Sequence, residues 1–127
     1  MKTSELMIGD WVLYGQRFAI IKELYNGYVT ILCSINGQNE YVEETYDNIE
    51  PIPLTSEILE KNGWKDISFD SEADYYNDDV AMISFYEAKD GNAWWWHVGL
   101  ELAAPINYVH ELQQILRVLK IDKEIEI

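Results

Sequence analysis

Through the first fifty residues, apolar and polar positions alternate with a period of two, interrupted at close intervals by turn residues. The pattern predicts short strands over Asp10–Tyr14, Arg17–Leu24, Tyr28–Ser34 and Glu40–Val42, with a last one near Asn48–Ile52. Gly15, Asn26–Gly27 and Asn36–Gly37 separate them. An Asn-Gly pair between β-branched and aromatic runs is a hairpin signal, because both central residues of a type I′ turn need positive φ. Phe18, Ile20 and Leu24 are expected on one face of the second strand, and Val29, Ile31 and Cys33 on one face of the third. Five such strands predict a small, half-open antiparallel barrel resembling Src-homology-3 (SH3) folds, an analogy of fold that carries no function.

Pro51 and Pro53 interrupt strand pairing and mark a junction. Thr55 is the expected N-cap of a short helix over Ser56–Lys61, and Asn62–Gly63 its stop. Beyond it, strands are expected at Trp64–Phe69, Val80–Glu87 and Ala93–Leu102, with a polar loop at Asp70–Asp79 and a hairpin at Lys89–Asn92. After Pro105 the period changes to 3.6. Val109, Leu112, Leu116 and Leu119 fall on one stripe, with Asn107 the expected N-cap. The closing DKEIEI is expected to return as an edge strand over Glu124–Ile127, whose unpaired backbone offers a route to a homodimer. The fold class is thus α+β: an SH3-like β-barrel over residues 1–53, packed with a lobe over 54–127 in which a helix covers antiparallel strands.

At 127 residues the chain is long enough for one compact unit of two lobes, burying roughly 65–70% of its unfolded surface. Charge changes the picture more. Nine basic against 23 acidic side chains give a formal net charge of −14, and Glu40 to Asp79 holds thirteen of the acids against only Lys61 and Lys65. Affinity for a polyanion comes from Lys and Arg displacing its counterions, so direct nucleic-acid binding is disfavoured. The acidic stretch reads either as a solvated surface or as a face that imitates nucleic acid. The start, MKTSELMIGDWVLY, lacks the apolar core of a signal peptide, and no apolar run approaches a membrane span. Cys33 is the single cysteine, which excludes an intramolecular disulfide and a Cys-rich zinc site. A cytoplasmic location without membrane attachment is expected.

Three blocks, MKTSELMIGDWV, YDNIEPIPLTSEILEKNGW and INYVHELQQILRVLKIDKEIEI, together resemble a family of small uncharacterised proteins of gut Bacteroidales, their phages and mobile elements. The resemblance covers nearly half the chain in conserved order of blocks. It implies a lineage and a genomic setting, and brings neither an activity nor catalytic residues.

Catalytic and metal motifs are incomplete. His110-Glu111-Leu112-Gln113-Gln114 has Gln114 where the second histidine of an H-E-x-x-H zinc helix stands, so His110 reads as a helix-surface residue. Asp70-Ser71-Glu72-Ala73-Asp74 begins like a calcium loop but has Tyr75 at the glycine position and Ala81 at the bidentate glutamate position. His97 and His110 as bases, and Cys33 or a serine as nucleophile, lie in no known nucleophile context. No phosphate loop or dinucleotide fingerprint is present. These observations predict a non-enzyme without cofactor or metal.

Aromatic residues carry the remaining signal. On the strand Ala93–Leu102, Trp94, Trp96, Val98, Leu100 and Leu102 share one face, and Trp95, His97 and Glu101 the other. Trp95 and His97 thus face either a packing interface between lobes or a ring-stacking ligand. Tyr75 and Tyr76 lie among Asp70, Glu72, Asp74, Asp78 and Asp79, a composition suited to a protein partner with a basic surface. Two classes of function follow. One is a non-catalytic interaction protein of a phage or mobile element, such as an acidic inhibitor of a host or defence protein. The other is a small-ligand binder using Trp95 and His97. A hydrolase lacks its ligands.

Overall fold

In a computed structural model of the chain, described over residues 5–66, 75–77, 83–87, 94–98 and 102–127, the fold is α+β. Two compact units emerge. One comprises Met1–Ile52 with Tyr108–Val118, and the other Pro53–Asn107 with Leu119–Ile127. The chain therefore crosses between units more often than a single division at residue 53 implies. No helix among the described residues is long and apolar enough to cross a membrane.

The first unit is built on an antiparallel sheet of β1 (Trp11–Tyr14), β2 (Arg17–Leu24), β3 (Tyr28–Ile35), β4 (Gln38–Thr45) and β5 (Ile49–Glu50), in the order β4-β3-β2-β1-β5. A single 3-10 turn, Tyr46–Asn48, leads from β4 into β5. The sheet does not close: β4 and β5 are its two edges among the described residues. The turn between β3 and β4 has the expected chemistry, with φ of 52° at Asn36 and 80° at Gly37. β4 is longer than the expected Glu40–Val42 and pairs with β3 along all eight residues.

Alternation assigns the faces, with one correction. Val29, Ile31 and Cys33 share the buried face with Val12, Ala19 and Ile21. Phe18 and Ile20, expected on the same face as Leu24, lie on the opposite one. A register shift between Ile21 and Glu23 inserts Lys22 as an extra residue. Such a bulge breaks the period of two, so Leu24 packs with Ala19 and Ile21 while Phe18 and Ile20 face outward. Fully burying Ile21 or Ile31 stabilises the unit by about 1.5–3 kcal/mol each.

A helix, α2 (Val109–Val118), completes this unit, packed against β1 rather than grouped with the strands that precede it. Its stripe of Val109, Leu112 and Leu116 is buried as the periodicity requires. Tyr108, not Asn107, stands at its start. Glu111 reaches back to accept the Tyr108 N–H at 3.0 Å, one arm of a capping box. The Val109 N–H donates to the Ile52 carbonyl at 2.9 Å, which ties the helix start to the end of the sheet.

The second unit contains α1 (Ser56–Lys61) and a meander of β6 (Lys65–Asp66), β7 (Tyr75–Tyr76), β8 (Ile83–Glu87), β9 (Trp94–Val98) and β10 (Leu102–Ile106), every adjacent pair antiparallel. Thr55 caps α1, its hydroxyl accepting the Ile58 N–H at 3.3 Å. The single strand expected over Ala93–Leu102 is two strands. The chain reverses between Val98 and Leu102, which face each other in register. Pro105 is accommodated because β10 is an edge strand among the described residues.

The closing DKEIEI segment is not a strand. The Asn62 side chain occupies the place of a strand partner: its amide donates to the Glu126 carbonyl and its oxygen accepts the Glu126 N–H, each at 2.7 Å. The same amide donates to the Ile58 carbonyl at 2.8 Å, and Lys61 Nζ donates to the Ile127 carbonyl at 2.6 Å. Ile125 is thereby held buried, and the Lys123 ammonium lies 6.0 Å from the centroid of the buried Trp64 ring. Gly63 follows with φ of 95°, and a Cβ there would press on the Asn77 amide at 3.1 Å, which itself donates to the Asn62 carbonyl. Asn62→Ala should therefore cost about 2–3 kcal/mol by leaving backbone groups of Glu126 and Ile58 unmatched. In hydrogen exchange, amides over 121–127 should lose protection before those of β1–β4.

Candidate functional site

The outward face of the first sheet collects apolar side chains that the core does not use. In register, Ile20 stands opposite Leu32, and Leu32 opposite Tyr41, so one apolar row runs across β2, β3 and β4. Phe18 lies one row away on the same face. Phe18 is 50% exposed and Tyr41 69%, with Ile20 and Leu32 half-buried. On the other side, Glu23 and Glu43 flank Thr30 in the next row. The result is an apolar strip bordered by carboxylates. A shallow groove of about 510 Å³ follows it, lined by Arg17, Phe18, Ile20, Leu32 and Ser34 among others.

A second groove, about 530 Å³, lies where β1 turns into β2 and β4 runs into β5. Tyr14, Arg17, Glu44, Asp47, Asn48 and Glu50 line it, so its carboxylates outnumber its single cation. Glu44 organises the groove. Its Oε1 accepts from Asn48 Nδ2 at 2.7 Å and from the Thr45 N–H at 3.1 Å, and its carboxyl also takes the Tyr14 hydroxyl. Hydrogen bonds from Asn48, Tyr14 and the Thr45 backbone hold Glu44 below the usual glutamate pKa. The same contact raises the Tyr14 pKa, because losing the phenolic proton would break its bond to Glu44 and set two negative charges together. Tyr14 is thus held as a donor to Glu44.

Polar groups also join α2 to β1. Asp10 is fully buried, and its Oδ2 accepts the Met7 N–H and Gln114 Nε2, each at 2.8 Å. Its Oδ1 pairs with Arg117 Nη1 at 2.5 Å. Gln113 spans the same junction, accepting the Trp11 N–H at 2.8 Å and donating to the Gly9 carbonyl at 3.0 Å. Gln114, at the place of a second zinc-binding histidine, also donates to the Glu5 carbonyl at 2.8 Å. Among the described residues no group of three or more His, Cys, Asp or Glu side chains is gathered as a metal site. This network is structural, and sequence reasoning missed it. Its only local signal is the placement of three polar residues at Gln113, Gln114 and Arg117 beside the apolar stripe.

His110, expected on the helix surface, is buried at 4% exposure, stacked on Tyr108 with ring centroids 5.8 Å apart. Its Nδ1 has no hydrogen-bond partner. Burial lowers its pKa, opposed by the carboxylates of Asp10, Glu111 and Glu5.

The residues singled out from the sequence fall largely elsewhere. Asp70, Glu72, Asp74, Asp78 and Asp79 lie outside the described residues. Tyr75 and Tyr76 form β7, Tyr75 standing opposite Asp66 and Phe85, with its side chain buried. The Tyr75 ring, expected at a contact surface, is turned inward because that stretch is recruited into the second sheet. Trp95 and His97 occupy β9 two residues apart, opposite Tyr86 and Ser84 on one side and Pro105 and Ala103 on the other. Cys33 is buried in the first core. Phe18, Ile20 and Tyr41 were the missed surface residues, since an apolar position on a strand does not announce which face it takes. Comparison with protein-family models, with curated proteins and with solved structures found no match.

Two outcomes follow. Asp10→Ala should destabilise the chain by about 3 kcal/mol, stranding Arg117 and the donors of Met7 and Gln114, and Asp10→Asn by less, as read from urea midpoints. For His110, a lowered folded pKa means that the unfolded chain takes up a proton first. Its contribution is whole above its unfolded value near 6.5 and is lost as pH falls from there toward the folded pKa. Stability of the wild type should fall more steeply between pH 7.5 and 5 than that of His110→Phe. Parallel curves would assign the slope to other groups.

Proposed function

We propose that the chain is a non-catalytic protein-binding module whose partner presents a basic surface. The observation that carries the reading is the apolar strip of Phe18, Ile20, Leu32 and Tyr41 bordered by Glu23 and Glu43. Exposed apolar residues gathered on one face mark sites of association, whereas scattered ones need no explanation. Desolvating Phe18 and Tyr41 would supply affinity, and the carboxylates would steer a basic partner and reject an acidic one. The net charge of −14 adds long-range attraction of the same sign.

The strand order β4-β3-β2-β1-β5, with a 3-10 turn before β5, supports treating the first unit as an opened SH3-like barrel. The resemblance to proteins of Bacteroidales phages and mobile elements supplies the setting. There the chain would act as an accessory that occupies a host or defence protein, with the acidic stretch Asp70–Asp79 as a second attractive surface.

The test is capture from host lysate with tagged protein and chemical crosslinking, comparing wild type with Phe18→Ser/Tyr41→Ser. Each replacement lies on the surface and should change stability by no more than about 0.5 kcal/mol. A specific basic protein should be retained by the wild type, crosslink to the sheet face, and be lost from the variant. Its retention should weaken as salt shortens the Debye length from about 10 Å toward 3 Å. Capture indifferent to both changes, or co-purification of a small molecule alone, overturns the reading.

A further inference from the structure

We propose that β4 accepts an extended segment of a partner protein as a sixth strand of the first sheet, the segment carrying two central apolar residues between two basic ones. The inference rests on the protein-binding reading and names its site. β4 is paired with β3 over eight residues and, among the described residues, with nothing on its other side. The two-residue turn at Asn36 and Gly37 fixes which backbone groups are spent. Ile35 and Gln38 close that turn, so Gln38, Glu40, Val42 and Glu44 bond toward β3. Asn39, Tyr41 and Glu43 therefore present their N–H and C=O groups outward, in the repeat that a further strand matches.

Side chains on β4 state what that strand should be. Tyr41, 69% exposed, ends the apolar row from Ile20 and Leu32, and half-buried Val42 packs at the margin of the core on the other face. Glu40 and Glu43 flank this pair and are exposed, while Glu44 is engaged by Tyr14 and Asn48. A docked strand thus meets carboxylate, aromatic, aliphatic and carboxylate in turn. Lys or Arg at the outer positions and β-branched residues at the inner ones satisfy all four. The pattern is symmetric, so it serves either strand direction. A second copy of this chain is a poor occupant, because β4 holds three glutamates and no Lys or Arg, and self-pairing would gather six acids along one ladder.

The experiment uses the full chain, amide NMR and a capped peptide, Thr-Lys-Val-Val-Lys-Thr, with Thr-Glu-Val-Val-Glu-Thr as the control. The basic peptide should slow hydrogen exchange at the Asn39, Tyr41 and Glu43 amides at least tenfold and leave the inward amides of Glu40 and Val42 unchanged. Tyr41→Pro removes one outward donor without touching the β3 ladder and should weaken binding at least tenfold. Should that variant lose its fold, Glu43→Lys tests the same contact through charge and should weaken it comparably. Equal binding of the acidic peptide, protection at amides away from β4, indifference to the folded variants, or no binding at millimolar peptide each overturn strand addition. If any of these occurs while partner capture still depends on Phe18 and Tyr41, the edge assignment fails and the protein-binding reading stands.

Discussion

A carboxylate with no exposure to water has to be met by donors from the protein, and in the first unit that requirement falls on Asp10. Its two oxygens take one backbone N–H from the segment before β1 and two side chains from α2, Gln114 and Arg117. The sheet therefore cannot bury the start of β1 until a helix about a hundred residues further along the chain has arrived. Burial of Leu112 and Leu116 is non-directional and by itself leaves the helix free to slide or rotate. Directional bonds to Asp10, Trp11 and Gly9 select one register, the role for which buried polar contacts are best attested.

With α2 fixed against β1, other features of the unit can be read beside it. The helix brings His110 into the interior with Nδ1 unmatched, a local cost accepted for the position of its neighbours. The core takes Val12, Ala19, Ile21, Val29, Ile31 and Cys33, so the apolar residues of the reverse face are left outside it. Glu44 works at the open side of the sheet, where β4 and β5 do not pair, and joins Tyr14 to Asn48 by side-chain bonds. Opening the sheet exposes an eight-residue edge. Three glutamates on that edge discourage association between copies.

Local signals in the sequence located most elements of this fold. Asn36–Gly37 specified a hairpin because its backbone conformation is demanding, and Thr55 specified the start of α1 because an orphan N–H needs an acceptor. What escaped was information not held locally. Nothing in Ile21-Lys22-Glu23 signals a bulge, yet that extra residue decides that Phe18 faces outward while Leu24 turns inward. Asn62 read as a helix stop, but its amide also serves as a strand for Glu126, a pairing across 64 residues that no periodicity reveals. The same limit applied to the candidate site. Acidity drew attention to Asp70–Asp79, whereas the exposed strip on β2, β3 and β4 became visible only when register placed Ile20, Leu32 and Tyr41 side by side.

The interleaving of the two units governs how the chain must be made. The first unit takes its helix from residues that follow nearly all of the second, and the second takes its last segment from residues that follow the helix. During synthesis, β1–β4 emerge early but lack the donors for Asp10 until Arg117 has been translated. Neither unit can therefore finish folding while the ribosome is still adding residues before that point, and the usual order in which an N-terminal domain matures first is unavailable. A single cut at any position removes a required piece from at least one unit.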